Sequence, residues 1–155
     1  MADIIERYDC INSPIGVIYV VFVGEVVKAV TLVRPQAVAA HPLSSDIRGQ
    51  FEGYFAGKRV VFDIKVSLEK VSKFCASVYK ALEEVLYGEV CTYGWLARRV
   101  GTASVARAVG QALKKNPLPI IIPCHRVIAS DGSLGGYSLG LDVKRQLLDI
   151  ERNTK

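Results

Sequence analysis

Near residue 70 the prevailing spacing of apolar residues changes. Before that point they alternate as in half-buried strands: residues 4–11, 16–23 and 26–33 read as three strands, and Val60, Phe62, Ile64 and Val66 as a fourth. After Ser72 they recur every three or four positions, as Phe74, Val78, Leu82, Val85 and Leu86 do, and Gly88 stops that helical stripe. A chain that spends its strands first and its helices afterwards is limited to an α+β architecture. We therefore expect residues 1–68 to form a small antiparallel sheet with a helix on it, and residues 69–155 a helical domain. The length of 155 residues accommodates one domain or two small ones.

Local signals fill in the plan. Asn12-Ser13-Pro14 reads as a turn, and Gly24-Glu25 as a tight hairpin turn between β-branched runs. His41-Pro42-Leu43-Ser44 leads into a helix with Ile47, Phe51, Tyr54 and Phe55 on one face, ending at Gly57. His41 reads as a surface or capping residue rather than a ligand. In the second half, Thr92 is placed to cap a helix over 93–100 that Gly101 ends, and Thr102 to cap another over 103–115; a last helix covers 142–152. Two helices joined by a short glycine turn make a helix-turn-helix.

Between that motif and the last helix lies an apolar, strand-like run, residues 120–127, which ends in Pro123-Cys124-His125-Arg126-Val127. Proline fixes its own backbone angle and pushes Ile122 towards extended geometry, so the strand is expected to stop there and turn Cys124 out at a bend. A thiol attacks only as the thiolate, and His125 and Arg126 supply a proton acceptor and a cation beside it. Asn116, ahead of the rigid Pro117-Leu118-Pro119, is placed to offer its amide to the bend. The plainer reading is a buried structural cysteine beside a chance histidine.

The formal net charge is +5, and its distribution says more than its size. Between residues 90 and 130 stand Arg98, Arg99, Arg107, Lys114, Lys115 and Arg126 with no acidic residue, the pattern of phosphate contacts. The helix over 103–115 carries Ala103, Ala106, Ala108, Gly110 and Ala112, which leave much of its surface bare, while Val105, Val109 and Leu113 supply a core face. Small residues let a backbone come close, which suits a minor groove approached without base readout better than major-groove reading by long polar side chains. Acidic residues stand where a secretory signal would be basic and apolar, and the longest apolar run, 17–23, is too short to span a bilayer, so a cytoplasmic protein without membrane contact is expected. Cysteines 10, 75, 91 and 124 lack zinc-site spacing and are expected as thiols; no metal or cofactor is called for.

Pro123-Cys124-His125-Arg126-Val127, preceded by Asn116-Pro117-Leu118-Pro119 and followed by Gly132-Ser133-Leu134-Gly135-Gly136-Tyr137-Ser138, resembles the O6-alkylguanine-DNA alkyltransferases. Tyr93-Gly94-Trp95-Leu96-Ala97 and Ala106-Arg107-Ala108-Val109-Gly110 extend the resemblance over residues 71–151. The resemblance implies a ribonuclease H-like first domain, a winged-helix-like second one, and a monomer acting on duplex DNA that contains O6-alkylguanine. It implies that Cys124 takes the alkyl group irreversibly, after the base is flipped out of the stack and Arg107 enters in its place. His125 is then the base, directly or through one water, Glu151 its partner, Tyr93 the proton donor to the purine, and Lys144 an assistant. Val127, Tyr93 and the loop 133–138 would wall the pocket, with Gly135 and Gly136 keeping the loop compact, Tyr137 against the base and Ser138 at its O6 edge. Ala106, Ala108 and Gly110 would face the DNA.

Leu139 stands where the family usually has glycine and is expected to narrow the pocket against bulky alkyl groups. The sequence leaves open whether O4-alkylthymine is accepted. Two rivals remain at this stage: a minor-groove or lesion-sensing binder with no chemistry, and a cysteine hydrolase. The hydrolase needs an oxyanion hole and a histidine brought across the fold, whereas sequence neighbours usually point apart.

Overall fold

The computed structural model describes residues 5–153. It opens with an antiparallel meander, β1 (Arg7–Ser13), β2 (Gly16–Val23) and β3 (Val26–Thr31), whose second turn is the expected Gly24-Glu25 hairpin. Residue 4 of the expected first strand lies outside the described residues, and that strand runs on through Asn12 and Ser13, which the sequence suggested as turn. A bulge at Lys28 resets the register between β2 and β3, so that Val20 faces Val30 and Phe22 faces Val27, all four buried. Chain leaving β3 crosses to the other edge of the sheet, where β4 (Ala39–Ala40) lies parallel to β1. The sheet is therefore mixed, in the order β3-β2-β1-β4, where an antiparallel one was expected.

No ladder forms over residues 60–66, despite their alternation. The outer edge of β3 is divided between two suitors: Val27 exchanges bonds with Lys65 and Ser67, and the Val30 N–H donates to the Pro117 carbonyl at 2.9 Å. Only the single Val27–Val66 bridge fits between them. Upstream, the Gln50 side-chain amide substitutes for a strand by pairing with both backbone groups of Asp63.

Helix α1 (Ser45–Phe55) is capped by Ser44, whose hydroxyl accepts from the Ile47 N–H, and buries Ile47, Phe51 and Tyr54. Asp9 ties it to β1, accepting from Arg48 at 2.6 Å and from the Leu43 N–H. Helix α2 (Lys73–Leu82) is capped by Ser72 and buries Cys75, Val78, Tyr79 and Leu82. It stops short of the expected stripe: residues 83–88 form turns, and Leu86 is exposed. A two-residue strand, β5 (Cys91–Thr92), leads into α3 (Tyr93–Val100), capped by Thr92 as expected.

Thr102 does not cap the next helix, because its hydroxyl pairs with Ser104 instead. The chain enters through a 3₁₀ turn (Ala103–Val105) and becomes α4 (Ala106–Lys114). After the loop 115–126, β6 (Val127–Ile128) pairs with β5, and α5 (Leu141–Arg152) closes the chain. One contiguous apolar core holds Val20 and Val27 from the sheet, Phe51 from α1, Leu82 from α2, Leu96 from α3, Val109 from α4 and Leu147 from α5. No helix of the described residues is long and apolar enough to cross a membrane.

Candidate active site

Residues 120–122 were expected in a strand and are not. Ile120 adopts a left-handed backbone (φ 78°), an unusual state for a β-branched residue, and the Ile122 N–H folds back to the Leu118 carbonyl at 2.8 Å. The reason is burial: this tight loop drives Leu118, Ile120 and Ile122 into the core together. Pro123 (φ −81°, ψ 59°) then sits at the centre of an inverse γ-turn closed by the Cys124 N–H on the Ile122 carbonyl, and Cys124–Arg126 complete a 3₁₀ turn. Two reversals in succession turn Cys124 inward. It is 3% exposed, whereas the sequence suggested a thiol turned out towards solvent.

The Asn116 amide donates to Cys124 Sγ and to the Ile122 carbonyl, both at 3.1 Å, while its own carbonyl accepts from the Leu118 N–H. All three contacts fix its orientation on the sulfur. Burial pushes the Cys124 thiol above its ordinary range, partly offset by the Asn116 hydrogen bond and the Lys144 charge, so the sulfur rests protonated. To act as a nucleophile such a thiol would need a base.

The candidate for that base, the next residue in the chain, is held in place by a carboxylate. His125 is wholly buried, with Nε2 2.5 Å from Glu151 Oε2. A carboxylate can only accept, so Nε2 carries the proton and Nδ1, buried without a hydrogen-bond partner among the described residues, presents its lone pair. Burial holds the imidazole below its usual pKa, against the pull of Glu151, and so keeps it neutral and able to accept. Burial alone would raise Glu151, but the hydrogen bonds from His125 and Arg126 and the charge of Arg126 more than offset it and hold the carboxyl at about 2.

Glu151 is a hub. Oε1 accepts from Arg126 Nε at 2.8 Å and from the Gly88 N–H at 3.2 Å; Oε2 accepts from His125, from Arg126 Nη2 at 3.3 Å and from the Tyr54 hydroxyl at 2.7 Å. Arg126, grouped with the phosphate-contacting cations on charge alone, is thus 8% exposed and spent on Glu151 and the Val85 carbonyl. Tyr54 read from the sequence as core and nothing more. No sequence signal singled it out, because its partner lies 97 residues away.

Above the sulfur opens a cavity of about 170 Å³, lined by Tyr93, Gly110, Leu113, Lys114, Cys124, Gly136, Tyr137 and Ser138. Of the expected walls, Val127 is fully buried and meets Lys144 through its carbonyl, while Gly110, Leu113 and Lys114 of α4 take part instead. Gly135 (φ 71°) is required where it stands, since a Cβ there would lie 2.7 Å from the Tyr93 hydroxyl. That hydroxyl accepts from the Gly136 N–H at 3.3 Å. The Tyr137 hydroxyl is buried without a hydrogen-bond partner among the described residues. Lys144, itself buried, clamps the loop by donating to the carbonyls of Val127 (2.6 Å), Leu134 and Gly136 (3.0 Å). Burial brings its ammonium down to about 8, although Cys124 and Cys91 pull the other way.

Beside the cavity, α4 presents Arg107 and Ala108 to solvent with Ala106 and Gly110 half-buried, Ala103 is exposed on the 3₁₀ turn before it, and a Cβ on Gly110 would meet nothing within 4 Å. Ala112 leaves that bare face, for it is in the core and its carbonyl accepts from the Tyr79 hydroxyl. Arg98, Lys114 and Lys115 are exposed nearby, whereas Arg99 is paired with Glu84. All four cysteines are free, and no group of three or more His, Cys, Asp or Glu able to hold a metal occurs among the described residues.

Known proteins share this arrangement of elements. The family described as "6-O-methylguanine DNA methyltransferase, DNA binding domain" matches residues 73–153. A methylated-DNA--protein-cysteine methyltransferase of Methanosarcina acetivorans is 40% identical over 152 residues, covering 93% of this chain and 97% of that protein. The crystal structure of the Mycobacterium tuberculosis O6-methylguanine methyltransferase superposes with a TM-score of 0.88 at 35% identity, over 97% of this chain and 95% of that one. The M. tuberculosis protein in complex with DNA gives 0.88 at 36% identity, over 96% and 94%.

Proposed function

Because this chain belongs to the methylated-DNA--protein-cysteine methyltransferase family, we propose that it repairs duplex DNA by moving the alkyl group of O6-alkylguanine onto its own Cys124, once per molecule. One observation carries the reading: a buried thiol, aimed by Asn116 and backed by a His125–Glu151 pair, forms the floor of a cavity beside an exposed, nearly bare helix. We read residues 1–68 as a ribonuclease H-like domain and 69–155 as a winged-helix-like one. The protein acts as a monomer, since cavity, base and acceptor all come from one chain.

Each residue then has a task. Ala106, Ala108 and Gly110 let the α4 backbone approach the minor groove, and Arg107 fills the stack when the damaged nucleotide swings into the cavity. Tyr137 packs on the base and Ser138 faces its O6 edge. His125 Nδ1 takes the thiol proton through one bridging water, and Glu151 stabilises the imidazolium. Sulfur attacks the alkyl carbon as the carbon–O6 bond breaks; the electron pair goes to the purine, which takes a proton from the Tyr93 hydroxyl, and the proton left on His125 is released to solvent as the Tyr93 phenolate takes one back from it. A thioether is left on Cys124. Nothing around it cleaves a carbon–sulfur bond, so the reaction ends there.

Excess O6-methylguanine duplex is expected to give one methyl per chain by intact mass, mapped to the Cys124 peptide. Turnover by substoichiometric protein would sink the single-use mechanism, and binding without any methylated protein would favour a lesion sensor. Arg107→Ala is expected to slow repair of the duplex by at least tenfold while changing reaction with free O6-methylguanine base by less than about twofold, because the side chain holds an extruded state that costs about a few kcal/mol and takes no part in bond breaking. Equal losses on both substrates would remove Arg107 from that role.

A further inference from the structure

Tyr54 reaches the catalytic pair from outside the segment that carries the family's motifs. It is fully buried on α1, and its ring packs edge-on to Phe55 and Tyr87 and tilted against Phe62. Hydrophobic packing alone would be served by phenylalanine. The hydroxyl, however, donates to Glu151 Oε2 at 2.7 Å, the same oxygen that holds His125 Nε2, and lies 3.4 Å from that nitrogen.

We infer that Tyr54 is a positioning residue for alkyl transfer: its hydroxyl holds Glu151 at the imidazole and, by sharing the carboxylate's charge, sets how strongly His125 keeps a proton. The inference rests on the proposed reading of Cys124 and His125 as acceptor and base. The Tyr54 hydroxyl at 2.7 Å and, more distantly, Arg126 Nη2 at 3.3 Å share Oε2 with His125 and compete for its charge, so the imidazolium is stabilised less than it would be by Glu151 alone. The other groups facing this point are few. Arg126, from the turn after Pro123, bonds Oε1 through Nε at 2.8 Å and reaches Oε2 through Nη2 at 3.3 Å; Tyr87 meets the Tyr54 ring from the loop before β5; the Lys144 charge also reaches His125. Arg126 and Lys144 both disfavour an imidazolium, and Glu151 is the one group that favours it. Whatever weakens Glu151's hold on the His125 proton therefore decides where the base becomes available. Tyr54 brings α1 into the chemistry.

Tyr54→Phe in the full chain deletes the hydroxyl and keeps the rings. The sign follows from the competition: Glu151 loses a donor, becomes the stronger partner of His125, and the acid limb of reactivity moves to higher pH. A hydrogen bond to a charged group predicts an upward displacement of about one pH unit. Three measurements separate the possibilities: the single-turnover rate of methyl transfer from O6-methylguanine duplex against pH, the rate of Cys124 alkylation by iodoacetamide against pH with peptide mapping, and thermal melting. The iodoacetamide profile reads the thiol and its base without DNA, so it stays informative even if the duplex proves not to be the substrate.

An upward shift in both profiles with little change in melting supports the inference. An unchanged acid midpoint in a folded Tyr54→Phe protein overturns it and leaves Tyr54 as core. Should that variant fail to fold, 3-fluorotyrosine placed at position 54 alone keeps every contact and makes the phenol a better donor; the midpoint is then expected to move down, and no movement overturns the inference equally.

Discussion

Cys124→Ala is expected to abolish alkyl transfer to below detection while leaving methylated duplex bound. In the proposed reaction sulfur is the acceptor atom, and the other nucleophilic groups around the cavity are the hydroxyls of Tyr93, Tyr137 and Ser138 and the amine of Lys114. The structural cost is small by comparison. Asn116 loses one of its two acceptors and keeps the Ile122 carbonyl, a loss of about 1 kcal/mol, which for a chain of this size lowers the melting temperature by about 2–4 °C. Intact mass after incubation with methylated duplex, beside a binding titration of the same variant, checks both halves. Residual transfer would place the acceptor elsewhere, and binding lost in step with transfer would mean that the substitution damages the fold.

Glu151→Ala is expected to cost both activity and stability, because one carboxylate serves five donors. Its removal leaves the Arg126 guanidinium in the core without a counter-charge, together with the Gly88 N–H and the imidazole proton. Breaking a buried ion pair from one side costs about 3–5 kcal/mol, or about 6–20 °C of melting temperature at this length. The rate of transfer should fall at least about a hundredfold, the lower range for loss of general-base assistance. A pH signature goes with the stability term. Glu151 sits at about 2 in the folded protein against an ordinary value of 4.5. A depressed carboxyl stabilises the fold above the unfolded-state value, and that contribution, about 3 kcal/mol, is lost as pH falls from 4.5 towards 2. The wild-type protein should lose stability steeply in that window, and Glu151→Ala, already without it, should not. Parallel acid-denaturation curves for the two proteins would show that the hub contributes little.

Much of this was legible in the sequence, for reasons that differ from element to element. Helix α3 could be read because its start and stop signals were both visible: Thr92 accepts from the Trp95 N–H as its position suggested, and Gly101 ends the helix. The β2–β3 hairpin needed only Gly24-Glu25 between β-branched runs. Residues 60–66 and 120–122 defeated the same logic, since an apolar alternation or run reports burial and not hydrogen-bond partners. In the first case the partner edge was already shared with Pro117; in the second, three apolar side chains reached the core from a loop with Ile120 in a left-handed backbone. Charge counting misplaced Arg126 for a related reason: a cation's sign is visible in sequence, but the carboxylate that neutralises it, 25 residues on, is not. Cysteine, histidine and asparagine were named from motifs, and the glutamate only from the family resemblance. The tyrosine that completes their network carried no motif at all.

The Glu151 hub also ties the imidazole's support to the docking of one helix. Its donors come from positions 54, 88, 125 and 126, yet the acceptor sits on α5. Elements of a fold open locally at free energies below that of global unfolding. Any opening that lifts α5 from the core therefore takes the carboxylate from His125 and the counter-charge from Arg126 in the same step.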